Sequence, residues 1–211
     1  MIALALCDPT SIPKLPRLIP ALLNSLQSDI TSPRPLTYLS PNVLELDLLY
    51  QSISSASPEI AQLAWEYVNS LNLAGDWRAE MEAFTNYPER NWIRNEGVVQ
   101  KMVACLPYVG SFWLKASYRG LLHLRISTTP PFAERDPIFQ QLPPPHAGYL
   151  SLTHYPAIPI SENEIVSTTG AGDTLVGGIV AGLASGGEEK EWVGKALERV
   201  GRTMRSRRAV G

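Results

Sequence analysis

The sequence has few cysteines, a small net charge and no long apolar run, so it lacks features that several large protein classes require. Only 2 of its 211 residues are cysteines, Cys7 and Cys105, which excludes a disulfide framework and favours a reducing compartment. Charged residues make up 18% and the formal net charge is −2, which argues against nucleic acid as a main partner. No apolar run approaches the roughly 20 residues that a membrane-spanning helix needs. We therefore expect a cytoplasmic protein without a membrane or nucleic-acid partner.

Two common nucleotide-binding motifs are also absent. No Gly-Lys-Ser or Gly-Lys-Thr triplet is present to end a Walker A loop, and Leu175 stands where the dinucleotide fingerprint needs a small residue. The histidines His146 and His154 have no second metal ligand at a suitable spacing. Hydrophobic residues make up 45% of the sequence, which is ordinary for one globular domain with its own core.

Short apolar runs alternate with helical patterns along the chain. Residues 2–7 and 36–39 predict buried strands, and helical spacing follows each of them, over residues 14–26 and 42–50. This order predicts crossover connections and a parallel sheet. We also expect helices over residues 58–73, 97–106 and 188–208, strands over 111–126 and 149–156, a surface loop or short helix over 75–95, and a long proline-rich loop over 128–148.

The stretch VSTTGAGDTLVGGIVAG, residues 166–182, has the pattern that most strongly suggests chemistry. An apolar lead-in predicts a strand, the small residues predict a tight turn, and the apolar run that follows predicts a helix. A helix N-terminus offers unpaired amides and partial positive charge, and Gly170, Ala171 and Gly172 leave room for an anion. Asp173 could take a proton from an attacking hydroxyl, or it could simply cap the helix. The local residues leave both interpretations open.

The segment TTGAGDTLVGGIVAGL is similar to the C-terminal signature of the ribokinase (PfkB) family of carbohydrate and nucleoside kinases. The resemblance implies a ribokinase-like fold, ATP as the phosphoryl donor and a sugar or nucleoside as the acceptor. It also implies that Asp173 is the catalytic base. The anion hole that binds ATP would be formed by Thr169, Gly170, Ala171 and Gly172.

Two further segments resemble motifs of the same family. SPNVLEL is similar to its N-x-x-E motif, which implies that Asn42 and Glu45 help to position Mg²⁺ and its water shell; a helix capping box is the alternative. SFWLKASYRGLL resembles the segment whose loop touches the nucleotide, which implies contacts from Lys115 and Gly120; an ordinary hairpin is the alternative. Ser117 stands where the family usually has glycine, and serine adopts a positive φ less readily.

The resemblance covers the chain as one ATP-binding domain, residues 1–211, but only the C-terminal half of the family fold. We therefore expect a partial three-layer α/β/α sandwich with a mostly parallel sheet, without the N-terminal half and the lid that carry most sugar contacts. Those contacts would come from a missing half, and the chain alone would be inactive and prone to form a homodimer.

The turn that begins at Asp8 resembles fungal pseudouridine-kinase-like members of the family. The resemblance therefore implies ATP-dependent phosphorylation of a sugar or a pseudouridine-like nucleoside by the intact family fold. The alternative is a nucleotide-binding module or pseudoenzyme without kinase activity. The sequence does not specify the acceptor, because the residues that would select it are not recognisable in it.

Overall fold

The computed structural model describes residues 6–9, 15–24, 36–73, 75–128, 138–146 and 148–207. The chain divides into two compact units. The first consists of Met1–Leu114 and Leu122–His154, and the second of Lys115–Leu121 and Tyr155–Gly211.

A six-stranded sheet organises the first unit, with the strand order β1-β2-β3-β4-β6-β5. The strands β1 and β2 are parallel, as are β2 and β3, whereas β5 and β6 are antiparallel. An α/β fold that begins with parallel strands is thus confirmed; the predicted strand residues 2–5 lie outside the described residues. The strands are β1 (Leu6–Cys7), β2 (Leu36–Leu39), β3 (Val109–Lys115), β4 (Leu121–Ser127), β5 (Ile138–Gln141) and β6 (Tyr149–Tyr155).

The core of the first unit is centred on β3. Phe112, Trp113 and Leu114 are successive residues and all are fully buried, so both faces of this strand are covered, as its continuous apolar run requires. Helix α6 packs against α2, α3 and α5 beside this sheet. The helices of this unit are α1 (Leu15–Asn24), α2 (Val43–Ser54), α3 (Pro58–Ser70), α4 (Gly75–Thr85), α5 (Asn91–Asn95) and α6 (Val98–Ala104).

Residues 75–95 are not a surface loop or a single short helix, as we expected from their polarity. They form α4 and α5, and the side chains of Trp77, Phe84 and Trp92 are buried. The charged residues occupy the outer face, and Arg90 lies over the Phe84 ring with its guanidinium carbon 4.5 Å from the ring centroid. The aromatic residues therefore form a buried apolar face. The prediction failed because it rested on the number of charged residues and not on their spacing.

The proline-rich stretch 128–148 also contains regular structure. Ile138–Gln141 is β5, which pairs with β6 so that Ile138 lies opposite Leu152, and the Gln140 side-chain amide donates to the Asn72 carbonyl at 2.9 Å. The prediction of a long loop is wrong for these residues, because cross-strand pairing supplies what the local sequence does not signal. Residues 129–137 lie outside the described part of the chain.

The second unit contains a helical pair, α7 (Ala171–Ser185) and α8 (Glu189–Met204). Glycines allow the two helices to approach closely: a Cβ atom built on Gly178 would lie 2.5 Å from the Ala196 Cβ, and one on Gly182 would overlap the Trp192 ring. Both predicted helices are confirmed. None of the described helices of either unit is long and apolar enough to span a bilayer.

Candidate functional site

The segment that leads into α7 is not a strand. Residues Glu162–Glu164 form a 3-10 turn, and no strand follows before the helix begins. Val166 is 53% exposed, and its amide bonds to the Met204 carbonyl at the end of α8 at 2.8 Å. The apolar, β-branched lead-in suggested a strand, but its backbone is paired with a helix end, so the prediction is wrong.

Helix α7 begins with a glycine cap. Gly170 is the N-cap residue, with φ 79° and ψ −4°, and no side chain of the described residues caps the helix. This left-handed conformation is one that glycine adopts at little cost. The interpretation of Asp173 as the N-cap is therefore wrong, because Asp173 lies inside the first turn of the helix.

Two amides of this first turn form no hydrogen bond with the part of the chain that the structure describes. The Ala171 amide donates to the Thr168 carbonyl at 3.3 Å and the Thr174 amide to the Gly170 carbonyl at 2.9 Å. The amides of Gly172 and Asp173 have no acceptor among the described residues, as is usual for the first turn of a helix. An exposed anion could therefore accept hydrogen bonds from both.

The side chain of Asp173 is also accessible to a ligand. The residue is exposed, and within the described parts of the chain its carboxylate forms no hydrogen bond or ion pair. Gly172 is also exposed, and a Cβ atom built on it would meet nothing within 4 Å. The packing of the chain itself therefore does not require a glycine here, whereas a ligand close to the backbone would benefit from one.

The last turn of α8 holds both flanks of this turn, which the sequence did not lead us to expect. The Met204 carbonyl accepts the amides of Val166 and Ser167 at 2.8 and 3.2 Å, and the hydroxyl oxygens of Thr174 and Thr203 lie 3.1 Å apart. One feature of the sequence could have indicated this contact. Thr203 is polar, but its helical spacing places it on the same face of α8 as Val193 and Ala196, and all three are buried.

An exposed ion pair links the residue after α8 to the segment that leads into α7. The Arg205 Nε atom donates to Glu164 Oε1 at 3.1 Å. The hydrogen bond from the Ser161 backbone amide, followed by the bond and charge of Arg205, holds the pKa of Glu164 below its usual value. Because both side chains are well exposed, this pair adds little to stability.

The hairpin turn with the predicted nucleotide contacts also belongs to the second unit. Gly120 is buried and has φ 95°, and a Cβ atom there would lie 2.6 Å from the Ala157 amide nitrogen and nearer still to the Tyr155 carbonyl oxygen. The chain's own packing thus requires this glycine. Ser117 has φ 57°, so this serine does adopt the left-handed conformation despite its cost. Lys115, at the end of β3, is half-buried.

Asn42 and Glu45 belong to the first unit and form a capping box at the start of α2. The Asn42 amide donates to Glu45 Oε2 at 2.8 Å, and the Glu45 amide donates to Asn42 Oδ1 at 2.9 Å. Glu45 is only 2% exposed. Both side chains offer oxygen atoms, the donors that Mg²⁺ prefers. Among the described residues, no group of three or more acidic, histidine or cysteine side chains could hold a metal ion.

The sequence profile described as pfkB family carbohydrate kinase matches residues 148–201, which include the turn before α7 and most of both helices. A pseudouridine-metabolizing bifunctional protein of Schizosaccharomyces pombe is 25% identical over 197 residues, 93% of this chain. The two matches support membership of the pfkB family. The second match covers 24% of the length of that relative, so this chain spans about a quarter of it.

Two solved ribokinases are similar in structure to this chain. The ribokinase of Thermotoga maritima has a TM-score of 0.47 and 15% identity, and the match covers 99% of this chain and 45% of the ribokinase. The ribokinase of Cryptococcus neoformans, solved in complex with ADP, has a TM-score of 0.48 and 19% identity, and the match covers 98% and 46%. This chain therefore spans less than half of each.

Proposed function

We propose that this chain is a pfkB family member that binds ATP at the start of α7 and takes part in phosphoryl transfer to a hydroxyl group of a sugar or nucleoside. The observation that carries the proposal is the exposed first turn of α7. There the unpaired amides of Gly172 and Asp173 adjoin a carboxylate that has no partner in the described residues.

The proposed chemistry assigns one task to each group of that turn. Asp173 accepts the proton of the acceptor hydroxyl, whose oxygen then forms a bond to the γ-phosphorus of ATP. The bond from that phosphorus to the β,γ-bridging oxygen breaks, and ADP leaves. Amides that donate to the phosphoryl oxygens stabilise the negative charge of the transition state. In our proposal the turn Thr169, Gly170, Ala171 and Gly172 forms the anion hole. Within the described residues, its free donors are the amide of Gly172 and that of the adjoining Asp173, because the Thr169 and Ala171 amides already donate to Ser167 Oγ and the Thr168 carbonyl.

The remaining predicted residues have supporting roles in this proposal. Lys115 and Gly120, in the same compact unit as the turn, would contact the nucleotide. Asn42 and Glu45 would hold the water shell of a Mg²⁺ ion, which when bound offsets the charge of the phosphates. We infer a pseudouridine-like nucleoside as the first acceptor to test, because the curated relative is a pseudouridine-metabolizing protein.

A second candidate function is nucleotide binding without phosphoryl transfer. It is favoured by the capping box, which already engages both predicted magnesium-supporting residues.

Measurements of binding and of transfer separate the two functions. Calorimetric titration with ADP and ATP tests for the nucleotide site. Incubation with Mg-ATP and a panel of sugars and nucleosides that includes pseudouridine tests for transfer; if the sequence occurs within a longer natural polypeptide, that polypeptide is assayed in parallel. Asp173→Asn should leave ADP affinity nearly unchanged and lower the transfer rate by about 10²-fold or more, the contribution of a general base.

Asp76→Asn is the matched control, because Asp76 is also an exposed aspartate in the first turn of a helix, α4 of the other unit. This variant should behave like the wild type in both assays. Transfer at a normal rate by Asp173→Asn would eliminate the base assignment. Nucleotide binding without transfer to any acceptor would support the second function, and absence of nucleotide binding would reject both.

A further inference from the structure

We propose that Thr203, a buried residue of α8, is a positioning residue for the turn that carries Asp173. This inference deepens the proposed function and rests on it for its consequence in catalysis. The contact itself is independent of that function: the Thr203 and Thr174 hydroxyl oxygens are 3.1 Å apart, and Thr174 directly follows Asp173 in the chain.

The bonds that connect the turn to the last turn of α8 lie on its flanks. On the N-terminal side, the amides of Val166 and Ser167 donate to the Met204 carbonyl. On the C-terminal side, Thr174 contacts Thr203. Residues 168–173, between these anchors, are exposed or half-buried. The last turn of α8 therefore holds both ends of the turn that precedes α7 and leaves residues 168–173 accessible to a ligand.

Of these contacts, the Thr174–Thr203 pair is the one that depends on a particular buried side chain. The Met204 contact uses only backbone atoms, so any residue could supply it. The Arg205–Glu164 pair is exposed and adds little in water. Thr203 is 1% exposed, so loss of its hydroxyl would leave the Thr174 hydroxyl facing an apolar neighbour, and water could not easily replace the lost bond.

The position of Thr174 determines the direction of the groups that we assign to catalysis. Its amide bonds to the Gly170 carbonyl at 2.9 Å and closes the first turn of α7. The amides of Gly172 and Asp173 and the carboxylate of Asp173 lie within that turn, so a rotation of the turn about α7 would move all of them together. Displacements of about 1 Å are enough to weaken phosphate binding and catalysis.

The test compares three variants of the full chain. Thr203→Val keeps the shape of the side chain and removes the hydroxyl, whereas Thr203→Ser keeps the hydroxyl. Thr85→Val is the matched control, because Thr85 is also 1% exposed and its hydroxyl bonds to the Met81 carbonyl at 2.8 Å inside α4. The first measurement is amide hydrogen exchange at Val166, Ser167 and Thr174. The second is the affinity for ADP and for adenosine.

We expect Thr203→Val to accelerate exchange at these amides by about twofold to tenfold, the range for one hydrogen bond of ordinary strength. ADP affinity should fall by a similar factor while adenosine affinity stays the same, because the displaced amides face the phosphates. Thr203→Ser should restore the wild-type values, and Thr85→Val should change neither. A merely structural role would lower stability without separating ADP from adenosine.

The outcomes distinguish this inference from the proposed function. If the wild type binds no ADP, the proposed function fails, and exchange alone decides whether Thr203 holds the turn. Unchanged exchange in Thr203→Val overturns the inference. It is also overturned if ADP and adenosine affinities fall equally, or if Thr203→Ser behaves like Thr203→Val.

Discussion

Glu45 is a buried residue that caps helix α2 and, in our proposal, also supports Mg²⁺. Its 2% exposure and its bond to the Asn42 amide at 2.8 Å explain why α2 begins where it does. Its negative charge is a separate property, since a capping box accepts glutamine as well as glutamate at this position. Substitution by glutamine therefore removes the charge and preserves the cap.

We expect Glu45→Gln to raise the Mg²⁺ concentration needed for half-maximal nucleotide binding and to leave metal-free binding nearly unchanged. The free energy of unfolding should change little. Asn42→Ala, by contrast, removes the cap and should lower it by about 1 kcal/mol. Titration of nucleotide affinity against Mg²⁺, with urea unfolding of both variants, measures these effects. An unchanged Mg²⁺ requirement in Glu45→Gln would mean that the pair serves only as a cap.

Gly120 is constrained by the backbone of its own unit. With φ 95° and ψ −141° it occupies a region that is essentially restricted to glycine, and the backbone at Tyr155 and Ala157 fills the space that a Cβ atom would take. Gly120→Ala should lower the free energy of unfolding by more than about 2 kcal/mol.

Gly194→Ala provides the contrast for that prediction. Gly194 lies inside α8, and a Cβ atom there would meet nothing within 4 Å. Alanine should stabilise the helix by up to about 1 kcal/mol. Urea unfolding curves with unchanged slopes give both values. Equal effects of the two variants would contradict the close approach at Gly120.

At the level of whole helices, the contact between α7 and α8 depends on which face a glycine occupies. Gly177 and Gly178 are neighbours in α7, but only Gly178 faces α8, where a Cβ atom would lie 2.5 Å from the Ala196 Cβ. A Cβ atom on Gly177 would meet nothing within 4 Å. The two positions are thus an internal control for helix packing.

Gly178→Ala should lower the free energy of unfolding by about 1–3 kcal/mol through overpacking. Gly177→Ala should raise it by up to about 1 kcal/mol through helix propensity. Thermal or urea unfolding of the two variants side by side measures the difference. A stabilising effect of Gly178→Ala would show that α7 and α8 do not pack as closely as the structure has them.

For the molecule as a whole, the two cysteines report on opening of the fold. Cys105 is fully buried, and burial raises the pKa of its thiol well above the usual range. Cys7 is half-buried at the end of β1, and burial, followed by the charges of Asp8 and Glu45, raises the pKa of its thiol as well.

We expect a thiol reagent at pH 8 to modify Cys7 first and to reach Cys105 only when the first unit opens, because both the pKa and the burial disfavour a reactive thiolate there. Mass spectrometry of the labelled chain over time identifies each site. Labelling of Cys105 should accelerate with urea much more than labelling of Cys7. Equal rates in buffer would contradict the core position of Cys105.

The features that depend on neighbours in the chain were predictable from the sequence. The small residues before Leu175 predicted the turn and the start of α7, because a helix N-terminus after glycine is a local property. The N-x-x-E spacing likewise indicated a capping box at Asn42 and Glu45 as the alternative to a magnesium-supporting role, and the bonds of that box span three residues. The family resemblance rested on the same local segments.

Tertiary structure decided what depends on residues far apart in the chain. Thr174 and Thr203 are 29 residues apart, and no local pattern indicates which buried hydroxyl a first helical turn will find. The lead-in at Val166 has the composition of a strand, yet its amide pairs with a helix carbonyl, because hydrogen-bonding partners are set by packing and only weakly by propensity. For the same reason, the burial of Trp77 in a polar segment became evident only when the surface that covers it was in place.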